Sequence, residues 1–257
     1  MKKIVNKVLS RFGVVLQRIP KKEMQGKLEN GRNLLNELYG HHLTKISGIP
    51  ADKLENPLPW FTYPSIEFID QFDLSEKTVF EWGSGNSSSF FAARANSIIS
   101  VEHEKDWFEH VKKNIKDNQE LVFSALQDYP FVLKNINKKF DIIIIDGRRR
   151  LDCTKEAVVF LKEDGLIILD NSDRYDITSS YLRQQGFVQV DFHGFGPINQ
   201  YTWTTSIFFK NKINLPLHNN LQPKQPIGGL NEDEGKIIID EDTKYGTSNA
   251  QFIKSII

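Results

Sequence analysis

From Trp60 to about Lys210, short apolar runs alternate with amphipathic stretches, the sequence form of a sheet with helices wound on both faces. The apolar runs predict strands over Thr78–Glu81, Ile98–Glu102, Leu121–Ser124, Asp141–Asp146 and Gly165–Asp170. The gaps between them read as helices, predicted over Ser87–Ala95, Lys105–Asn118, Tyr129–Asn135, Cys153–Leu161 and Ile177–Gln185. The alternation then breaks. Phe187–His193 and Tyr201–Lys210 both read as strands, with the seven residues Gly194–Gln200 between them. Seven residues cannot hold a crossover helix, so this pair must run antiparallel. The pattern predicts an α/β fold: a doubly wound, mostly parallel, seven-stranded sheet that ends in an antiparallel hairpin.

Two flanking regions differ from this block. Residues 1–27 carry eight Lys and Arg against the single acid Glu23. Ile4, Val5, Val8, Leu9, Phe12, Val15, Leu16 and Ile19 recur there at helical spacing as far as Pro20. Such a basic amphipathic helix, over residues 1–22, suits an anionic membrane surface or contact with the domain or a second subunit. A helix around Leu28–Tyr39 and a connector with Gly48, Pro50, Pro57 and Pro59 follow, so residues 1–59 read as an N-terminal helix and entry segment. Residues 60–210 form the expected main domain. Residues 211–257 turn polar, with six acids within residues 231–244, and read as an appended tail.

Composition narrows the classes. A chain of 257 residues is long enough for one domain with a substantial core. Lys+Arg and Asp+Glu are both 33, so no overall charge points to nucleic acid. Cys153 is the single cysteine, which excludes an internal disulfide and a cysteine-rich zinc site and makes a reducing, cytoplasmic setting the expectation. No apolar run approaches the length of a membrane span.

The candidate chemistry starts at Glu81-Trp82-Gly83-Ser84-Gly85-Asn86-Ser87, where an apolar strand passes through a small-residue turn into a helix. Glycines let such a turn approach a ligand closely, although the same turn also serves a purely structural purpose. The next strand ends at Glu102, whose carboxylate can accept hydrogen bonds from a ribose diol. With these residues in place, the chain resembles the class I S-adenosylmethionine-dependent methyltransferases over about residues 60–210. Glu81, Gly83 and Gly85 match the family's acidic-x-Gly-x-Gly motif, and Ser87 stands where a third glycine is common. The resemblance implies S-adenosyl-L-methionine as cofactor. The glycine loop and Glu81 would hold its methionine part, Glu102 its ribose and His103 its adenine, with Asp128 a further adenine contact.

Asp146, Asp170 and Asn171 follow the predicted fourth and fifth strands and should converge outside the strand ends. Two carboxylates and an amide suit Mg²⁺ or another divalent ion, and here the chain resembles the catechol O-methyltransferase-like branch. Asp146 as a metal-free base, and Asp170-Asn171 as a turn cap, are the alternatives. Arg148 and Arg149, in the run Arg148-Arg149-Arg150, are candidates to clamp an acceptor anion. Tyr63, in the aromatic stretch Pro59–Pro64, is a candidate lid residue, and His193 a candidate acceptor base. The activity expected is methyl transfer to an oxygen, less readily a nitrogen, of a small-molecule or glycan-like acceptor. A catalytically silent cofactor-binding module and an NAD-dependent oxidoreductase are the competing readings.

Overall fold

The computed structural model describes residue 31, residues 33–217 and residue 227. The chain divides into two compact units, Met1–Lys224 and Gln225–Ile257, and every described residue except Ile227 lies in the first. The helix expected over residues 1–22 and most of the polar tail lie outside the described residues.

Seven strands form one sheet: β1 (Thr78–Trp82), β2 (Ser97–Glu102), β3 (Gln119–Phe123), β4 (Phe140–Ile145), β5 (Leu161–Leu169), β6 (Val188–Gly194) and β7 (Trp203–Phe209). Their order is β3-β2-β1-β4-β5-β7-β6. The first five are parallel, whereas β7 runs antiparallel to both β5 and β6. This is the expected doubly wound, mostly parallel sheet with its closing hairpin.

Strand alternation explains the two cores. On β4, Ile142 and Ile144 face one side with Val79, Ile168 and Ile207. Ile143 and Ile145 face the other with Phe80, Trp82, Ile167 and Phe208. The central strands are therefore apolar on both faces, as a sheet covered on both sides requires. Among the described residues, seven α-helices in chain order accompany the sheet: α1 (His41–Ser47), α2 (Tyr63–Ile69), α3 (Asn86–Ala92), α4 (Lys105–Val111), α5 (Val132–Ile136), α6 (Arg150–Phe160) and α7 (Asp176–Gln184). Phe90 and Phe91 of α3 fill the first core, and Cys153 and Ala157 of α6 the second.

The expected helix over Lys105–Asn118 is shorter: α4 stops at Val111 and a 3-10 turn, Lys112–Asn114, follows. Asn118 then turns its amide to the Ala92 and Ala95 carbonyls (2.9 and 3.0 Å), satisfying the exposed end of α3. Strand β5 begins four residues before the expected Gly165, running on directly from α6.

Packing reaches beyond residues 60–210 on both sides. Leu35, Tyr39 and Leu58 pack on the first core, as do Ile213, Leu215 and Leu217. Thr44 is buried, and its hydroxyl accepts a hydrogen bond from the Ile198 amide at 2.8 Å. A bridge between Phe72 and Leu217 ties the last of these residues to the turn that follows α2.

Candidate active site

Strand order reverses direction between β1 and β4, since β2 and β3 lie on one side and β5 on the other. Such a switch point leaves a crevice above the carboxyl ends of the strands. Here Gly83 follows β1 with φ +113°, and a Cβ on it would stand 3.5 Å from the Asp146 and Gly147 backbone. The Asp146 amide donates to the Trp82 carbonyl at 3.1 Å. The glycine loop and the residue after β4 are thus immediate neighbours.

The loop itself is held from below. Ser88 of α3 donates its hydroxyl to Glu81 Oε2 and accepts a hydrogen bond from the Gly85 amide at 3.1 Å. Ser100 donates to the same Glu81 oxygen at 3.0 Å. Glu81 is wholly buried, and its Oε1 makes no hydrogen bond of standard geometry. Burial raises its carboxyl to about 7, against the pull of the Ser87, Ser88 and Ser100 hydroxyls. Glu81 therefore braces the glycine loop through Ser88 and lies beneath its surface.

Glu102 closes β2 at the loop's edge. Its Oε1 accepts the His103 and Glu104 amides, both at 2.8 Å, and its Oε2 accepts the Ser84 hydroxyl at 3.0 Å. His103 Nδ1 lies 3.0 Å from Oε1, and the ring meets Tyr129 edge-on at 5.4 Å. Trp107, in the first turn of α4, donates its indole N–H to the Ser84 carbonyl at 2.8 Å. A Cβ built on Gly85 would have just the Trp107 ring within 4 Å, at 3.7 Å. The outer face of the loop is open apart from that ring, so the donors and the Glu102 carboxylate fit a nucleoside carrying an amino acid.

Other expected contacts at this end lie elsewhere. The Trp82 side chain is core, donating to the Tyr129 carbonyl at 3.0 Å. Asn86 donates to the Pro50 carbonyl at 2.6 Å, fastening α3 to the entry segment. Ser87 is buried within α3. Asp128 is exposed beside Gln127, at the start of a 3-10 turn.

Beyond β4 and β5 a cleft of about 180 Å³ is lined by Trp60, Asp146, Asp170, Asn171, Arg174, Asn199, Tyr201 and Trp203. Asp146, Asp170 and Asn171 do converge here. Asp170 Oδ1 accepts hydrogen bonds from Trp203 Nε1 at 3.0 Å and Thr205 Oγ1 at 2.6 Å. Burial raises the carboxyls of both aspartates, and for Asp170 the nearby Asp146 charge adds to it.

The arginine run resolves differently from expectation. Arg149 adopts φ +50°, which reverses the chain before α6. Its guanidinium turns out to the Leu126 and Gln127 carbonyls and Asp152. Arg148 is exposed and does not line the cleft. Arg150 instead is buried, donating to Asp146 Oδ1 at 3.1 Å, the Gly147 carbonyl at 3.0 Å, the Asp170 carbonyl and Asn171 Oδ1 at 3.5 Å. The expected metal ligands therefore already share a cation. A divalent ion on Asp146 and Asn171 would have to displace or face this guanidinium, so the set as built does not fit one. Among the described residues no group of three or more His, Cys, Asp or Glu side chains is placed to hold an ion.

Two further expectations are corrected. Tyr63 is buried against Tyr39, with ring centroids 4.5 Å apart, and its hydroxyl faces His41, so it is not a lid residue. His193 sits exposed on β6, the sheet's edge strand, with Nδ1 2.6 Å from Thr204 Oγ1, and is not part of the cleft lining. The aromatic stretch does contribute Trp60, and the loop between the last strands contributes Asn199. Arg150 and Trp107 were the residues least visible beforehand; an i, i+4 spacing from Asp146 and a place in the first turn after Glu102 are the signals that mark them.

No family model matches the chain, and no curated protein matches it. Solved structures similar to it include a precorrin-6y C5,15-methyltransferase of Geobacter metallireducens, at 15% identity over 65% of this chain and 96% of that one, TM-score 0.49. An rRNA methylase of Streptococcus thermophilus matches at 14% identity over 57% of this chain and 93% of that one, TM-score 0.45. A methyltransferase of Pyrococcus furiosus matches at 16% identity over 74% of this chain and 98% of that one, TM-score 0.43.

Proposed function

We propose that this chain is an S-adenosylmethionine-dependent methyltransferase that acts on an oxygen, less readily a nitrogen, of a small-molecule or glycan-like acceptor. The observation that carries the reading is the contiguity of two half-sites. The glycine loop with Glu102 adjoins, through the Trp82–Asp146 backbone hydrogen bond, a cleft bearing a buried carboxylate. One half suits a nucleoside with an amino acid attached, the other a polar acceptor.

When bound, the cofactor supplies an electrophilic methyl on a sulfonium. The chain's own residues then have separate tasks. Glu102 Oε1 is pinned by two backbone amides, which leaves Oε2, shared with Ser84, to take ligand hydroxyls. Trp107 flanks the opened loop. In the cleft, exposed Trp60 and Tyr201 offer ring faces, while Asn171, Asn199 and Arg174 offer hydrogen bonds, a lining suited to a hydroxylated ring. Asp146, its carboxyl raised by burial, receives the acceptor proton as the oxygen attacks. Orientation of two partners within one crevice supplies much of the acceleration.

Calorimetric titration with S-adenosylhomocysteine tests this. Micromolar binding, about −8 kcal/mol, is expected for the native chain and loss of it in Glu102→Ala. Asp146→Asn should keep that binding and lower turnover by roughly 10²–10⁴-fold. Absence of binding by the native chain would end the methyltransferase reading.

A further inference from the structure

Three oxygen-bearing side chains meeting above the ends of two parallel strands invite a cation, and the Arg150 guanidinium already supplies one. Arg150 is the first residue of α6 and is 7% exposed. One of its terminal nitrogens lies 3.1 Å from Asp146 Oδ1, 3.1 Å from the Asp146 carbonyl and 3.5 Å from Asn171 Oδ1. The other terminal nitrogen donates to the Asp170 carbonyl, and Nε donates to the Gly147 carbonyl at 3.0 Å. The far face of the guanidinium rests on the Tyr175 ring, 4.5 Å from its centroid. Every edge of this planar group is engaged, so it is held in one place by the backbone of both strand ends. Asp170 Oδ1 is committed to Trp203 and Thr205 on β7.

Mg²⁺ needs near-octahedral oxygen ligands at about 2.0–2.1 Å, and like charges in a buried cleft repel strongly. A divalent ion and the Arg150 guanidinium therefore compete for the same oxygens. We propose that Arg150 is the resident cation beneath this cleft: buried behind its lining, it engages the Asp146 and Asn171 side-chain oxygens that a divalent ion would need, and it orients Asp146 toward the acceptor without a metal. That the cleft holds an acceptor rests on the methyltransferase reading. The competition between Arg150 and a divalent ion does not.

Arg150 is a positioning residue, and its test is metal binding rather than rate. Mn²⁺ is titrated into the full-length chain and followed by loss of the free-ion paramagnetic resonance signal, with no methyl donor present. The native chain should leave the signal unchanged. Arg150→Ala should bind Mn²⁺ at least about tenfold more tightly than the native chain, and a second change, Asp146→Asn, should abolish that gain. Arg150→Lys keeps a cation at the position and should bind no Mn²⁺. Folded Arg150→Ala with no gain in Mn²⁺ binding would overturn the proposal. So would native-chain binding that Asp146→Asn removes, a comparison that stands even where Arg150→Ala does not fold. Because no methyl donor is used, failure here is distinct from failure to bind S-adenosylhomocysteine.

Discussion

At the scale of single residues, burial and partner geometry decide function more than residue type does. Glu81 is the clearest case. Its carboxyl titrates near 4.5 when solvated and is raised by burial to about 7 in the fold. Between those values the folded chain holds a proton that the unfolded chain has released, so stability falls as pH rises from about 5 to 7 and then levels. Glu81→Gln removes this titration. Urea melts should show the variant gaining on the native chain by up to ~3 kcal/mol between pH 5 and pH 8, and a difference that stays constant with pH would refute the assignment. The turn itself was legible because its spacing is local, whereas Glu81, expected at the methionine part of the cofactor, lies buried beneath the loop on Ser88 and Ser100. Arg150 was not legible: three successive arginines are equivalent in sequence, and with left-handed backbone at Arg149 one guanidinium turns outward and the next is buried beneath the cleft against Asp146. Tyr63 and His193 were misread for a related reason. A chemically capable side chain says nothing of which face it occupies, and here one faces the core and the other an exposed edge strand.

At the scale of elements, the sheet was readable because its strands are apolar runs with alternating faces, and the hairpin because its connection is too short for a helix. What joins the elements was less so. The loop between β6 and β7 is threaded against the start of α2: Tyr63 donates its amide to the Phe195 carbonyl at 2.7 Å. A Cβ on Gly196 would lie 2.1 Å from the Phe61 carbonyl oxygen and 2.4 Å from the Trp203 ring. Such overpacking costs about 1–3 kcal/mol, and Trp203 also holds Asp170. Gly196→Ala should therefore lower the melting temperature and, by shifting Trp203, weaken turnover as well. Gly186 has φ +83° with nothing near its would-be Cβ, so Gly186→Ala should cost stability through strain alone and leave turnover unchanged. Equal turnover in the two variants would separate the loop from the cleft.

At the scale of the whole molecule, the folded unit is wider than the alternating pattern marks. A strand-helix pattern reports elements that belong to the sheet, and it is silent on irregular segments that close the sheet's faces. Leu35, Tyr39 and Leu58 precede the block, and Ile213, Leu215 and Leu217 follow it, yet all six pack on the first core. The later three are anchored by backbone as well: Asp73 donates its amide to the Pro216 carbonyl at 2.8 Å, and Asn214 donates to the Asp164 carbonyl at 3.0 Å. Each of these half-buried aliphatic side chains contributes about 1 kcal/mol by area, so ending the chain at residue 210 removes roughly 3 kcal/mol. For a domain of this size that lowers the melting temperature by about 6–12 °C. A chain ending at residue 217 keeps all three side chains and both hydrogen bonds, and should melt well above one ending at residue 210. If the two truncations melted together, the contacts of residues 213–217 would contribute nothing to the fold, and the alternating block alone would suffice to define the domain.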